Sequence, residues 1–535
     1  MLSQLVFSGL LALSLAAQQQ PLKSGKQPLT PFDDAFNEKV EWVCDHFDIP
    51  GLGIAVVKNE TIYSKGYGQS NIQKSQPVTE HTLFFTGSTT KAHTAAAISL
   101  LVDDNENYPS IQWDTPVHTI IPEDFVLNNT WSTTHITISD ILSHRSGLPR
   151  HDFVWNANIS LQEAVRSMRY LPLTAEPRTQ WQYCNLMYMA AAHLVESVTG
   201  LSIHDFLKER IWKPLNMSET YLSVPEARKA ERHISEGYYI TQDGVLKSTN
   251  QANTDTIRGA GNILSSVSDY AKWIFAILHR KQPISEAGYN ALFSAHSIML
   301  GNTQKPYQSP PLYGFGWMSQ TYAGETIVYH DGSQFGYGAA VLMIPGRKFG
   351  LVILGNNMNG IAAGANVLAF HLVDELLGVK DEDRFDWAEI GDAMMNGTHL
   401  PSNVIPVLYP STPDPPLPNP LLLSAYEGTY THPAYPDLQV SLICPPEAPK
   451  LNETDRKFPH LCASFMNPSK YTPDMVLGLY HVTGTFWAQI VDFWGLPVVS
   501  RVEFRIEAEG TASWMGIEVE PMMAVKGEKI WWRRV

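Results

Sequence analysis

The sequence predicts two folded domains: an α/β (α+β) domain with an antiparallel sheet and a helical subdomain, followed by an all-β antiparallel barrel. Three features of the 535-residue chain indicate this division. A strand pair near the N-terminus and three strands after residue 324 flank a long stretch of helical patterns, which suggests one sheet built from both ends of the first domain. Residues 401–420 then contain eight prolines. Beyond them the apolar segments are short and aromatic, as in strands.

In the first domain, apolar residues at helical spacing predict helices near residues 31–47, 137–144, 161–169, 185–198, 202–211, 268–279 and 362–377. Strands are predicted at Gly51–Val57, Thr61–Tyr67, Glu325–His330, Tyr337–Ile344 and Phe349–Asn356. A further helix should follow the turn at Gly87, because the alanine-rich residues after Lys91 favour that conformation.

The predicted boundaries are a leader at 1–17, a first domain at 18–385, a proline-rich linker at 386–420 and an all-β domain at 421–535. The proline-rich part should be stiff and extended. Strand-like segments of the last domain lie at 426–430, 438–442, 486–491 and 530–533. They suggest a small antiparallel barrel or sandwich.

Composition excludes some partners. The formal net charge of −15 argues against binding to nucleic acid or to an anionic membrane surface. After the leader, no hydrophobic segment is expected to be long enough to cross a membrane. The four cysteines form no C-x-x-C pair and no cluster with histidine, so no metal site is expected. Cys444 and Cys462 are close enough in sequence for a disulfide, whereas Cys44 and Cys184 are expected to be buried free thiols.

The N-terminus predicts export. Residues 1–17 are apolar and uncharged and end in two alanines, as a secretory signal peptide does, although a basic residue is missing from its start. Glycosylation sequons occur at Asn59, Asn128, Asn158, Asn216, Asn396 and Asn452. An extracellular glycoprotein is therefore expected.

A Ser-x-x-Lys motif opens the helix after Gly87. Ser88 and Lys91 are three residues apart and share a helix face, so the hydroxyl and the amine can meet. A serine hydroxyl needs a neighbouring base to act as a nucleophile. A desolvated lysine in the first turn of a helix has a lowered pKa and can supply that base. Taken alone, the motif fits a capping serine with a solvated lysine better.

Two more motifs lie downstream. Tyr183 and Asn185 form a Tyr-x-Asn sequence at the start of an apolar helix, and a tyrosine beside a cation can have a lowered pKa and shuttle a proton. His330 and Gly332 form His-x-Gly on a late strand, where a glycine allows a close approach by another backbone. Each motif alone is also compatible with a structural role: a packed tyrosine, a helix-capping asparagine or a satisfied histidine.

The order of these motifs resembles the serine β-lactamase and penicillin-binding-protein-like hydrolases, with Tyr-x-Asn about a hundred residues after Ser-x-x-Lys and a basic residue-x-Gly on a late strand. The resemblance is to class C β-lactamases, D,D-peptidases and the related D-aminopeptidases and esterases, and it covers about residues 30 to 378. Similar flanking segments are Leu142–Pro149, Pro214–Thr220, Gly259–Asp269 and Tyr313–Trp317. The all-β domain is similar to the lipocalin-like domains fused to such hydrolases.

The resemblance implies roles for individual residues. Ser88 would attack a carbonyl carbon and become acylated, and Lys91 and Tyr183 would share the transfer of protons as a coupled pair. The backbone N–H groups of Ser88 and Ser333 would form the oxyanion hole. Asn185 would hold a substrate amide or orient Lys91. No cofactor is needed for this chemistry.

One departure from the family pattern bears on the substrate. Where β-lactamases and D,D-peptidases carry Lys-Thr-Gly, this chain has His330, Asp331 and Gly332, which resembles the D-aminopeptidase and esterase branches. The loss of a permanent cation and the gain of Asp331 predict poor turnover of anionic substrates and a preference for neutral esters or free amines. The expected function is hydrolysis of a small-molecule or peptide acyl substrate, an ester, amide or D-amino-acid peptide, through an acyl-enzyme. The alternatives are a β-lactamase proper, an acyltransferase or a non-catalytic protein that binds ligands in the same cleft.

Overall fold

The structure is a computed structural model that describes residues 30–535 except 157, 250–254, 300, 302, 399–403, 447, 450–459 and 467–474. The predicted leader at 1–17 and the sequon at Asn452 lie outside the described residues.

The described strands of the first domain are β1 (Gly51–Lys58), β2 (Thr61–Asn71), β3 (Gln76–Pro77), β4 (Phe84–Phe85), β5 (Thr220–Tyr221), β6 (Gly237–Ile240), β7 (Leu246–Thr249), β8 (Leu264–Ser265), β9 (Ser297–Ile298), β10 (Leu312–Tyr313), β11 (Met318–Tyr322), β12 (Glu325–Gln334), β13 (Tyr337–Ile344) and β14 (Phe349–Gly355). Its helices are α1 (Asp34–His46), α2 (Thr90–Asp103), α3 (Val117–Ile120), α4 (Thr130–His135), α5 (Ile138–Leu142), α6 (Leu161–Ser167), α7 (Asn185–Thr199), α8 (Ile203–Leu207), α9 (Val224–Lys229), α10 (Val267–Leu278), α11 (Glu286–Phe293), α12 (Met358–Leu377) and α13 (Trp387–Asn396). Two short 3₁₀ turns at Gly87–Thr89 and Asp152–Asn156 also belong to this domain.

One nine-stranded antiparallel sheet organises the first domain, in the order β3-β2-β1-β14-β13-β12-β11-β10-β9. The pairing of β1 with β14 confirms that both ends of the domain build this sheet. Alternate residues of β1 face opposite sides, so Ile54 and Val56 contribute to one hydrophobic cluster and Ala55 and Val57 to the other. Helices α1 and α12 cover the first side, whereas α10 packs on the second. The sheet is therefore buried on both faces.

Each predicted helix of the first domain overlaps a described one, whereas α3, α4, α9 and α11 were not predicted. Helix α2 packs against α7 and α11. Helix α12 is, by length and composition, apolar enough to cross a membrane, which differs from the expectation drawn from the sequence. It packs against the sheet, and 61% of its most apolar stretch is buried in the protein. A bent pair of helices, Asn185–Thr199 with Ile203–Trp212, is together also long and apolar enough to cross a membrane. Its first helix, α7, packs against α2 inside the domain.

The second domain is a closed antiparallel barrel whose strands are β15 (Gly428–Thr431), β16 (Leu438–Ser441), β17 (Leu461–Phe465), β18 (Val476–Thr483), β19 (Phe486–Phe493), β20 (Leu496–Ile506), β21 (Ala512–Ile517) and β22 (Ile530–Arg534). It also carries two short helices, α14 (Val404–Leu408) and α15 (Pro521–Ala524). Buried aromatic side chains pack together inside it: Tyr426, Tyr430, Trp487, Phe504 and Trp532. Cys444 and Cys462 form the expected disulfide. Cys184 is a buried free thiol, whereas Cys44 is only half-buried.

The segment expected to be an extended linker differs from that expectation in two places. Helix α13 packs on α12, with Trp387 stacked on Phe370 at a centroid distance of 4.2 Å. Helix α14 buries Val404 and Ile405 against the outside of the barrel. In both places, burial of apolar side chains on a hydrophobic surface stabilises a helix despite the nearby prolines. Residues 413–420 contain no helix.

The barrel packs against the first domain through aromatic contacts. Phe493 lies 5.2 Å from Phe153 and Trp494 lies 3.9 Å from Phe335, measured between ring centroids. Gly495 fits against the Ile240 carbonyl so closely that an added Cβ would lie 1.9 Å from its oxygen. The β19–β20 turn is therefore seated on the first domain, near the C-terminal end of β12.

Candidate active site

Ser88 lies in the 3₁₀ turn that leads into α2, with its side chain half-buried. Gly87 has a φ of +52°, and a Cβ there would lie 2.5 Å from the Ser333 nitrogen. A Cβ at Gly332 would lie 2.0 Å from the Thr86 carbonyl oxygen. Both positions require glycine, because the turn and the end of β12 pass within contact distance. This approach brings the backbone around Ser88 and the backbone around Ser333 together. The amide nitrogens of these two residues stay the predicted oxyanion donors.

Lys91 is fully buried in the first turn of α2. Its Nζ lies 3.0 Å from Ser88 Oγ, 2.8 Å from Asn185 Oδ1 and 2.8 Å from the Ala260 carbonyl oxygen. Burial, followed by the positive charge of Arg150, holds the pKa of Lys91 well below its usual range. The neutral amine that a general base needs is thus favoured, as the sequence predicted.

Tyr183 donates a hydrogen bond from its hydroxyl to Ser88 Oγ over 2.6 Å. Burial raises the pKa of Tyr183 above its usual value, although Ser88 and Arg150 oppose this rise. The expectation that neighbouring cations lower this pKa overall is therefore wrong: desolvation of the phenolate outweighs them. Tyr183 is a neutral phenol in this state, suited to give a proton.

The four groups form one directed chain of hydrogen bonds. A neutral Lys91 has two N–H groups, which donate to Asn185 Oδ1 and to the Ala260 carbonyl, and one lone pair, which faces Ser88. Because Tyr183 donates to Ser88 Oγ, the serine O–H is free to donate to Lys91 Nζ. In this arrangement the amine accepts the serine proton as Oγ attacks a carbonyl carbon.

Arg150 and Asp152 were not singled out from the sequence. Asp152 Oδ1 accepts a hydrogen bond from Asn185 Nδ2 over 2.8 Å, and Asp152 Oδ2 lies 2.5 Å from Arg150 Nε. The Arg150 guanidinium lies 4.8 Å from the centroid of the Tyr183 ring. They follow directly after Leu142–Pro149, the segment that resembles the family, and this position could have indicated them as site residues.

His144, in the same segment, supports Tyr183 from behind. It is fully buried at a φ of +57°, and its Nδ1 accepts the backbone N–H of Cys184 over 3.1 Å. Its ring lies 4.4 Å from that of Tyr183. Burial, then the charge of Lys91, holds the pKa of His144 well below its usual range, so the ring acts as a neutral packing element.

His330 is buried, and its tautomer follows from its partners. Nδ1 lies 2.7 Å from the Asp331 carbonyl oxygen, which can only accept, so Nδ1 carries the proton. Nε2 then accepts a hydrogen bond from the Tyr313 hydroxyl over 3.1 Å. Burial, then the charge of Lys91, lowers the pKa of His330 to about 3. His330 is therefore neutral at physiological pH, as expected.

Asp331 faces the other side of β12. Successive side chains of a strand point to opposite faces. Burial, and to a smaller extent the charge of Asp331, raises the pKa of Tyr307 and of Tyr329, which pack on the α12 side of the sheet. The predicted repulsion between Asp331 and a substrate carboxylate at His330 is thereby weakened. The geometry supports only the other half of the prediction, that a neutral His330 replaces the lysine of the Lys-Thr-Gly enzymes.

Among the described residues, no three or more His, Cys, Asp or Glu side chains are grouped to hold a metal ion. The arrangement around Ser88 consists of a nucleophile, a buried amine, a neutral phenol and two backbone donors. A nucleophile next to a base and a proton donor is the arrangement that acyl transfer requires.

Residues 32–373 match the protein family described as Beta-lactamase. The chain belongs to the beta-lactamase family. The match spans the sheet, the helical subdomain and every predicted site residue. A relative that is named as a hydrolase also supports a serine hydrolase. This relative, "Unguisins hydrolase ungD'" from Aspergillus campestris (strain IBT 28561), is 38% identical over 512 residues, which are 94% of this chain and 92% of the relative.

Solved structures agree on the fold. An octameric penicillin-binding protein homologue from Pyrococcus abyssi has a TM-score of 0.58 at 20% identity, covering 91% of this chain and 98% of its own. A class C β-lactamase has a TM-score of 0.53 at 20% identity, covering 64% of this chain and 96% of its own. The family resemblance and the fold class inferred from sequence are thus confirmed.

Proposed function

We propose that this serine hydrolase is secreted and cleaves an ester, an amide or a D-amino-acid peptide bond through an acyl-enzyme on Ser88. The observation that carries the mechanism is the position of Ser88 Oγ, 2.6 Å from the Tyr183 hydroxyl and 3.0 Å from the Nζ of the buried Lys91. Lys91 takes the Ser88 proton in acylation, Tyr183 gives its proton to the leaving group, and the Lys91 ammonium then supplies the proton that restores Tyr183. Backbone N–H groups of Ser88 and Ser333 stabilise the oxyanion.

The substrate class is proposed from the relatives. The 38% identical relative, and a second from Aspergillus violaceofuscus (strain CBS 115571) that is 35% identical over 95% of this chain, are both named unguisins hydrolases. Since the similarity extends over both domains, we propose that this chain hydrolyses an amide or ester bond in a molecule of the unguisin class.

An aromatic wall beside the centre supports an apolar substrate. We use this name for Trp155, Phe335 and Trp494, all half-buried. Phe335 follows Ser333 by two residues, its ring lies 6.1 Å from Trp155 and 3.9 Å from Trp494, and Trp155 Nε1 donates to Asp152 Oδ1 over 3.3 Å. The wall therefore links the oxyanion side of the centre to the Asn185 side. Such rings favour apolar or aromatic groups next to the scissile carbonyl.

The absence of a positive charge on His330 predicts which of two related substrates is hydrolysed faster. For a matched pair, a free carboxylic acid and its methyl ester, kcat/KM should favour the ester at least about fivefold, because a carboxylate placed beside the neutral His330 loses hydration without gaining an ionic partner, a cost of about 1 kcal/mol or more. With a His330 pKa of about 3, this ratio should stay constant between pH 5.5 and 8. The ratio is measured by initial rates across that range.

The variant His330→Lys serves as the matched change, since it restores the cation of the Lys-Thr-Gly enzymes at this position, and should narrow the difference between acid and ester. A wild-type enzyme that prefers the free acid throughout the range would contradict the argument. A panel of chromogenic esters, D-amino-acid anilides, a cephalosporin and an unguisin then distinguishes the substrate classes. Cephalosporin as the best substrate would support a β-lactamase proper instead.

Secretion is supported by the charge-free leader, by the disulfide between Cys444 and Cys462, and by the exposure of the sequon asparagines at 59, 128, 158, 216 and 396. Disulfides form in oxidising compartments. Protein collected from the medium of a eukaryotic host should lose mass on N-glycosidase treatment; retention inside the cell without glycans would contradict export.

A further inference from the structure

A three-residue segment, Arg150–Asp152, connects the catalytic centre to the barrel. Its two outer side chains face the centre: Arg150 over the Tyr183 ring and Asp152 on the Asn185 amide. The middle residue, His151, is 1% exposed and has a φ of +46°, an unfavourable conformation for a residue with a Cβ. Surrounding contacts must hold such a backbone in place.

Those contacts come largely from the second domain. The backbone N–H of His151 donates to Glu520 Oε2 over 2.9 Å. His151 Nε2 lies 3.0 Å from the Pro172 carbonyl oxygen and carries the proton, so Nδ1 accepts the hydroxyl proton of Tyr435 over 2.6 Å. Burial lowers the pKa of His151 to about 4, consistent with this neutral tautomer.

Glu520 and Tyr435 are themselves held firmly in the barrel. Glu520 is 2% exposed, and its Oε1 accepts the backbone N–H of Met522 at the start of α15. Tyr435 is 3% exposed and packs on Trp532 at a centroid distance of 5.2 Å. The barrel thus presents two preset hydrogen-bonding groups to one strained residue of the first domain.

We propose that Glu520 and Tyr435 are positioning residues of the hydrolase, which act through His151 to hold Arg150 and Asp152 against Tyr183 and Asn185. Asp152 orients the Asn185 amide, whose oxygen in turn accepts a hydrogen bond from Lys91. Through Glu520 and Tyr435 the second domain therefore supports the catalytic centre, although neither of these two side chains would touch substrate. This inference rests on the proposed roles of Ser88 and Lys91.

Loss of this support has a defined effect on Lys91. The titratable and charged groups around its amine are Arg150, Asp152, Tyr183, Cys184, Tyr188, His144 and His330. Desolvation is the largest cause of the lowered pKa of Lys91, ahead of Arg150. When the segment loosens, water reaches the amine and Arg150 is no longer fixed nearby, so that pKa rises.

The test is the rate constant for labelling of Ser88 by a fluorophosphonate, measured on the full chain between pH 5 and 10. Glu520→Ala and Tyr435→Phe should each slow labelling about 10- to 100-fold near neutral pH, the usual cost of a misplaced catalytic group. They should also move the midpoint of the acid limb to higher pH. Tyr435→Phe deletes one hydroxyl and retains the ring that packs on Trp532, so folding is preserved even if Glu520→Ala is unstable.

Lys526→Ala is the matched control. Lys526 also belongs to the β21–β22 connection and bonds to the first domain, with its Nζ 2.6 Å from the Thr174 carbonyl oxygen, but it does not contact His151. It should leave both rate and midpoint unchanged. Unchanged profiles for folded Glu520→Ala and Tyr435→Phe, or an equal loss in Lys526→Ala, would overturn the inference. Absence of labelling in the wild type would instead contradict the proposed function.

Discussion

Ser88→Ala is expected to lower kcat by on the order of 10⁴- to 10⁶-fold, the range seen when a catalytic serine is removed. The physical reason is that both Lys91 and Tyr183 hydrogen-bond to Ser88 Oγ. Alanine lacks this oxygen, so no acyl group can be transferred to the side chain. The measurement is the initial rate on the best substrate of the panel, with the purified variant at high concentration to detect residual turnover.

Ser99→Ala is the control for this substitution. Ser99 lies on α2, the helix that follows the Ser88 turn, and it is fully buried; among the described residues its hydroxyl has no hydrogen-bond partner. Its removal should leave kcat close to that of the wild type. A Ser88→Ala variant that keeps more than a few per cent of the wild-type rate would exclude Ser88 as the nucleophile.

Lys91→Ala and Tyr183→Phe should each lower kcat by about 10²- to 10⁴-fold, the usual contribution of general acid–base catalysis. Because the pKa of Lys91 is lowered, the amine becomes neutral at a lower pH than an exposed lysine. The wild-type rate should therefore rise with pH through that pKa and level off above it. Lys91→Ala should lose this acid limb, which pH–rate profiles of both proteins would show.

The two substitutions should combine far from additively, because both groups act on the same Ser88 oxygen. Tyr188→Phe makes the same chemical change as Tyr183→Phe on a neighbouring tyrosine whose hydroxyl bonds to the Leu142 carbonyl, and it should change kcat little. A double variant whose loss equals the product of the single losses would contradict a shared role.

Much of this fold was predictable because it rests on local patterns. The apolar runs of β1, β13 and β14 indicated strands, and the helical spacing in α7 and α10 located those helices within one or two residues. The spacing of Ser88 and Lys91 predicted their contact, since three residues make less than one helical turn. Tyr183 and Asn185 could be predicted as site residues only from the order of the motifs along the chain, because that order resembles the family pattern.

Other features depend on contacts that no local pattern encodes. Glu520 and His151 are separated by 369 positions and meet only because the barrel packs on the first domain. The direction of Asp331 depends on the register of β12 with β13. The raised pKa of Tyr183 depends on how fully the phenol is desolvated, which outweighs the cations that the sequence had suggested.

The central claim, an acyl-enzyme on Ser88 assisted by a buried neutral Lys91, is tested most directly by mass spectrometry of the wild-type protein quenched in acid during turnover. Intact mass should increase by the acyl group of the substrate, and peptide mapping should place the increase on Ser88. Ser88→Ala, treated in the same way, should show no increase. An adduct on another residue, or an adduct that persists in Ser88→Ala, would contradict the account.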